Sequence, residues 1–269
     1  MCMTDFISII TFCALLGCIV GFLAGLLGIG GGLIIVPALC FLLVKFHVLT
    51  SDHVFVVAIA TSLASIIFTS TSSAFAHHKN HNIPWDIAPA VLVGVAVGAL
   101  LSGFLASFIP VQFLKSVFAI SVVFIALRMM LSRPSKIVRT LPNRLILTTS
   151  TAVLGGVSGL IGIGGGALLV PFLTFFSVNM KKAIGCSAAS GIVIAVFGTI
   201  GYVSSGLSTT NLDDGFVGFV YLPALFGIVV TSAIFAQLGA KATHYLPVGM
   251  IKKIFALLLV IVAIRMLFS

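Results

Sequence analysis

Apolar residues fill most of the chain in ten runs, at about 6–28, 33–46, 53–76, 84–107, 111–131, 145–163, 166–178, 183–203, 215–239 and 249–268. A helix needs ~20 apolar residues to cross a bilayer, so the pattern predicts an all-α polytopic integral membrane protein with roughly ten crossings. Runs 33–46 and 166–178 are short for full spans. If each folds back on its predecessor as a re-entrant hairpin, each half has three crossings instead of five.

The runs repeat. Residues 21–37, GFLAGLLGIGGGLIIVP, match 155–171, GGVSGLIGIGGGALLVP, at ten of 17 positions. Residues 110–131 match 247–268 at nine of 22 positions, with Lys115 and Arg128 in register with Lys252 and Arg265. Between these, Ala58, Ile59, Ser62 and Ser65 match Ala183, Ile184, Ser187 and Ser190. Apolar bias alone does not place Gly, Pro, Lys and Arg in register. The expected organisation is therefore a first transmembrane repeat (1–131), a basic linker (132–144) and a second repeat (145–269).

The linker SRPSKIVRTLPNR carries Arg133, Lys136, Arg139 and Arg144 and no acid. The positive-inside rule places it in the cytoplasm. Counting outward puts Lys79, Lys181, Lys182 and Lys241 on the same side and both termini on the other. An odd number of segments per half, five or three, inverts the second repeat relative to the first. That architecture is frequent in secondary transporters.

Composition narrows the class further. Hydrophobic residues make up 60% and charged residues 7%, with 14 Lys and Arg against 5 acids, a net charge of +9. Soluble domains carry about 25% charge, so an ordinary soluble globule is excluded. The basic excess is explained by topology rather than by nucleic acid. All five acids (Asp5, Asp52, Asp86, Asp213 and Asp214) lie in loops or near segment boundaries. No carboxylate is expected inside a span, where a proton-driven carrier usually keeps one. The five cysteines are scattered without a CxxC, the pattern of small apolar side chains rather than of a metal or disulfide site. The N-terminus lacks the basic flank of a cleaved signal, so the first run is expected to be a retained span.

The candidate chemistry lies in the glycines. GIGGG at 28–32 and 162–166 interrupts each apolar run, and Pro37 and Pro171 follow five residues later. Glycine costs a helix interior about 1 kcal/mol against alanine, so three in a row predict a break. A short helix should follow, starting at the glycines or at the proline. Broken backbone at membrane depth is tolerated only inside protein or along a cavity. A helix N-terminus there presents N–H groups and a positive dipole end, which suits an anion. Gly28, Gly30, Gly31 and Gly32, with Gly162, Gly164, Gly165 and Gly166, are therefore candidate substrate-binding positions. Gly17, Gly21 and Gly25, spaced by four, suit close helix packing instead. The phosphate-loop pattern GxxxxGK[ST] is absent.

Thr61, Ser65, Thr69 and Ser72 fall on one helical face, with Ser62 beside it. Ser62 and Ser65, with their counterparts Ser187 and Ser190, could donate hydroxyls to an anion without fixing it by charge. They could equally bond their own helix carbonyls. His77, His78 and His81 form a cluster without Cys, Glu or Asp to complete a metal set, and a solvated loop is expected. Arg128 and Arg265 suit snorkelling to headgroups. Lys115 and Lys252 would fit a cargo-attracting vestibule. No nucleophile–base pair, carboxylate pair or cofactor motif is present, so neither catalysis nor a cofactor is expected.

The duplicated GxGGGxxxVP, as GIGGGLIIVP at 28–37 and GIGGGALLVP at 162–171, resembles the sulfite exporter TauE/SafE permeases, over essentially the whole chain. The resemblance implies a permease of the cytoplasmic membrane for sulfite, a sulfonate such as sulfoacetate, or a related small anion. The expected partners are that anion and the lipid bilayer; nucleic acid is not expected, and a homo-oligomer is compatible with the pattern. An anion channel, or a membrane partner that does not transport, stands as the alternative.

Overall fold

The structure, a computed structural model, describes residues 3–27, 30–49, 51–106, 108–131, 140–209, 215–242, 256–257 and 259–261. Nine helices are formed there: α1 (Met3–Leu27), α2 (Gly32–Lys45), α3 (Ser51–Lys79), α4 (Ala88–Leu105), α5 (Val111–Leu131), α6 (Arg144–Ile161), α7 (Gly166–Phe175), α8 (Met180–Thr209) and α9 (Leu222–Ala242). Seven of them are long and apolar enough to cross a membrane; α2 and α7 are shorter. The chain is an all-α polytopic membrane protein. Its surface agrees: Val93, Ile120, Phe124, Phe226, Val230 and Ile234 are exposed on α4, α5 and α9, where lipid accepts them.

One stretch departs from the expected pattern. The run 215–239 does not form a single helix. It opens with a hairpin of two strands, β1 (Phe216–Val217) and β2 (Val220–Tyr221), paired antiparallel. Gly215 and Gly218 take φ of +98° and +56°, which no helix admits, so α9 starts only at Leu222. Conversely, α8 continues past the apolar run 183–203 through the polar stretch SSGLST to Thr209. The last run, 249–268, lies largely outside the described residues, as do linker residues 132–139, Lys252 and Arg265.

Glycine contacts fix how the helices run. Leu63 lies against Gly198, Ser70 against Gly191, and Asn82 against Gly185, so α3 and α8 are antiparallel. These two helices carry matching sequence in the two halves. α3 forms the centre: 83% of its span is buried, against 28–56% in the others. Gly17, Gly21 and Gly25 of α1 press onto Ile228, Ser232 and Ala236 of α9, which fits the close packing expected of them. Gly94, Gly98 and Gly155 bring α4 equally close to α6. Each half thus lends its first helix to the fourth helix of the other half.

Candidate functional site

Both GIGGG elements break the helix. α6 ends at Gly162, whose φ of +74° turns the chain. The Ile163 N–H donates to the Ser158 carbonyl (2.9 Å) and the Gly162 N–H to the Gly159 carbonyl (3.3 Å), so the cut end is capped by its own backbone. Gly165, at φ +52°, then caps the start of α7. Its carbonyl accepts from the N–H groups of Leu168 (3.2 Å) and Leu169 (2.9 Å). In the first half Gly31, at φ +79°, plays the same part, its carbonyl accepting from Ile34 (3.1 Å) and Ile35 (3.3 Å). Both short helices therefore begin at the glycines, and Pro37 and Pro171 lie inside them. Gly28 lies outside the described residues.

The two breaks meet. A Cβ placed on Gly30 would sit 3.4 Å from the Gly164 carbonyl oxygen and 3.5 Å from the Gly164 Cα. One on Gly32 would collide with the Gly162 carbonyl oxygen and lie 3.1 Å from the Ile163 Cα. Bare backbone of one half faces bare backbone of the other; at Gly32 the approach leaves no room for a side chain, and at Gly30 the φ of +79° favours glycine. The depth follows from the neighbours: Gly162 and Gly164 lie against Ile59 and Ile66 of α3, and Gly191 of α8 faces the Gly164 carbonyl. Ile66 is about 20 Å from either end of α3 at 1.5 Å per residue, so the crossing lies near mid-depth. The chain also doubles back here. A Cβ on Gly31 would meet Val20 and Ala24 of α1, and α7 returns to the level where α8 begins. Both short helices are the return limbs of hairpins.

The four candidate serines are buried to 1% exposure or less, and they are bonded differently. Ser62 Oγ donates to the Gly162 carbonyl (3.0 Å), tying α3 directly to the second break. Ser65 and Ser190, at matching positions, donate to their own helices at Thr61 O (2.8 Å) and Cys186 O (2.9 Å). Ser187, the counterpart of Ser62, has no partner for its hydroxyl. In the second break the N–H of Gly165 donates to Ile163 O (3.0 Å) and that of Gly166 to Gly164 O. The amides of that break are therefore already held in tight turns, while the hydroxyls of Ser158, Ser187 and Thr199 are buried without a partner.

The expected polar stripe on α3 is one face out of place. Thr61 Oγ1 accepts the Tyr221 N–H (3.0 Å) and so faces the hairpin. The face turned to the breaks is Ile59, Ser62, Ile66 and Ser70; Ser70 Oγ lies 3.5 Å from where a Gly164 Cβ would be. Ser70, absent from the expected set, was recoverable from the i, i+4, i+8 spacing of Ser62, Ile66 and Ser70.

His77 and His78, expected in a solvated loop, lie in the last turn of α3. His78 meets Trp85 edge-on at 5.9 Å, and His77 Nδ1 is 3.5 Å from Asn82 Nδ2, so the histidines brace the turn after α3. Beside that turn is a cavity of about 530 Å³, lined in part by Asn82, Asp86, Asn179, Lys181 and Lys182.

Comparison with known proteins agrees over the same span. The family model for the sulfite exporter TauE/SafE matches residues 13–266. A probable membrane transporter protein of Haemophilus influenzae is 41% identical, covering 96% of this chain and 98% of its own. The probable membrane transporter protein YdhB of Bacillus subtilis is 30% identical over 93% and 97% of the two chains. A probable membrane transporter protein of Methanocaldococcus jannaschii is 29% identical over 88% and 87%. No solved structure matches. With broken helices meeting inside a bundle of membrane-spanning length, and with this likeness over nearly every residue, the chain belongs to the sulfite exporter TauE/SafE family of membrane transporters.

Proposed function

We propose that the protein is a secondary transporter that carries a small anion, sulfite or an organosulfonate such as sulfoacetate, across the cytoplasmic membrane. The observation that carries this reading is the contact between Gly30 and Gly164 at mid-depth, where two inverted helix starts converge. Helix N-termini attract anions, and transporters of inverted-repeat design bind cargo between broken helices at the midplane. Hydroxyls such as that of Ser70 beside Gly164 and the unpartnered one of Ser187 would bond an anion without trapping it by full charge. In this orientation the linker faces the cytoplasm and both termini face outward. Alternating access then moves one set of helices against the other about the glycine crossing.

The test is uptake of sulfite, thiosulfate, sulfate and sulfoacetate by proteoliposomes, with and without a pH gradient. Saturable flux with counterflow supports a carrier. Unitary currents would assign a channel, and no flux of any of these anions would leave a non-transporting role. Gly165→Val places a side chain where φ is +52° and Ile194 Cδ1 is 2.9 Å away. This variant, correctly inserted, should lose most of its flux; full activity would remove the glycines from the mechanism.

A further inference from the structure

The cavity of about 530 Å³ beside the α3–α4 turn is formed by both halves. The first half contributes His81, Asn82 and Asp86; the second contributes Asn179, Lys181 and Lys182. The lysines occupy the first turn of α8, which contains no acid. A helix start is the positive end of its dipole, so cations there are unfavourably placed. Among the described residues neither lysine makes an ion pair, although Asp86 lines the same cavity. Asn179 caps the turn, its Oδ1 accepting the Lys181 N–H at 3.0 Å. Topology accounts for lysines on this side of the membrane. It does not account for two of them on the positive end of a helix, at the rim of a cavity that also takes Asn82 and Asn179 from the two halves.

Asn82 packs on Gly185 of α8, and Ser187, with its unpartnered hydroxyl, follows two residues on. At 1.5 Å per residue, Lys182 and Ser187 are about 8 Å apart along the helix axis. We propose that this cavity is a loading site for the anionic cargo. Lys181, Lys182 and Asn82 hold a small oxyanion there before it passes along α8 to Ser187 and the glycine crossing. The proposal rests on the anion-transport reading and assigns the entry point on the linker side.

The experiment compares Lys181→Gln/Lys182→Gln with the parent in sulfite flux, with sulfite supplied on the linker side of oriented vesicles. The half-saturating concentration should rise about five- to tenfold at about 0.01 M ionic strength and the gap should narrow at about 0.15 M, while the maximal rate stays within about twofold. Lys181→Arg/Lys182→Arg should restore the parent value. Asp86→Asn, which removes the carboxylate from the cavity, should lower half-saturation, and it decides the matter if the double variant fails to insert. Unchanged half-saturation and salt dependence in these variants would overturn the loading site. So would an effect confined to vesicles containing phosphatidylglycerol, since the lysines would then serve lipid phosphate. The two readings fail separately: Gly165→Val without flux beside unaltered lysine variants removes the loading site and leaves the glycine crossing intact.

Discussion

Gly32→Ala tests the crossing with the smallest side chain available. Gly32 opens α2, and its added Cβ would collide with the Gly162 carbonyl oxygen, with Ile66 Cδ1 at 2.9 Å and the Ile163 Cα at 3.1 Å. The Ile66 side chain can swing aside; the two backbone atoms cannot. Overpacking of this kind costs about 1–3 kcal/mol. Removing a glycine from a helix returns up to about 1 kcal/mol, and less at a helix start. The net expectation is a loss of about 1–2 kcal/mol, or a separation of the two breaks that relieves the clash at the expense of their contact. Gly156→Ala is the matched control. It lies inside α6, and its Cβ would find the Gly98 carbonyl oxygen at an ordinary 3.5 Å. There the propensity gain stands unopposed, about 0.5–1 kcal/mol.

The two alanines should therefore move the melting temperature of the purified protein in opposite directions. Gly32→Ala should fall by about 2–8 °C, at the 2–4 °C per kcal/mol usual for chains near this size. Flux should fall in Gly32→Ala and persist in Gly156→Ala. A Gly32→Ala protein that melts at or above the parent and transports normally would refute the argument that bare backbone is required where the halves meet.

Two other substitutions separate hydroxyls that look alike in sequence. Ser62→Ala removes a buried bond to the Gly162 carbonyl and should lower stability by about 0.6–1.5 kcal/mol, whereas Ser187→Ala removes no bond and should leave the melting curve in place while raising half-saturation for cargo. Thr61→Val orphans the Tyr221 N–H and should cost about 1–3 kcal/mol, with Thr61→Ser restoring it; equal melting of all three would show that the hairpin does not depend on α3.

The sequence carried both helix breaks plainly, because three adjacent glycines have no reading inside a helix. What it hid was orientation around α3. On a helix buried on nearly all sides the hydrophobic contrast between faces vanishes, so Thr61, Ser65 and Thr69 were as good a stripe as Ser62, Ile66 and Ser70. The hairpin was hidden for a related reason: FVGFVY is as apolar as a helix, and only the positive φ of Gly215 and Gly218 distinguishes it. The cavity joins Asn82 to Asn179 and Lys181 across the two repeats, a juxtaposition without a local signal.

The exchange of elements between the halves predicts that neither repeat stands alone. A glycine break leaves amides and carbonyls without helical partners, and each such group facing lipid costs several kcal/mol. Here each break is covered by the other half: Gly30 by Gly164, Gly32 by Gly162 and Ile163, and the Gly162 carbonyl by Ser62. The packing stripe of α1 is covered by α9, and Gly155 of α6 by Val95 of α4. Residues 1–131 expressed by themselves therefore expose one break and the glycine faces of α1 and α4 to lipid, and should be degraded or aggregate. Coexpressed with residues 140–269 they should accumulate and co-purify as one particle. A first repeat that is stable and monodisperse without its partner would mean that its break is closed by its own chain, and the crossing of the two breaks would lose its structural rationale.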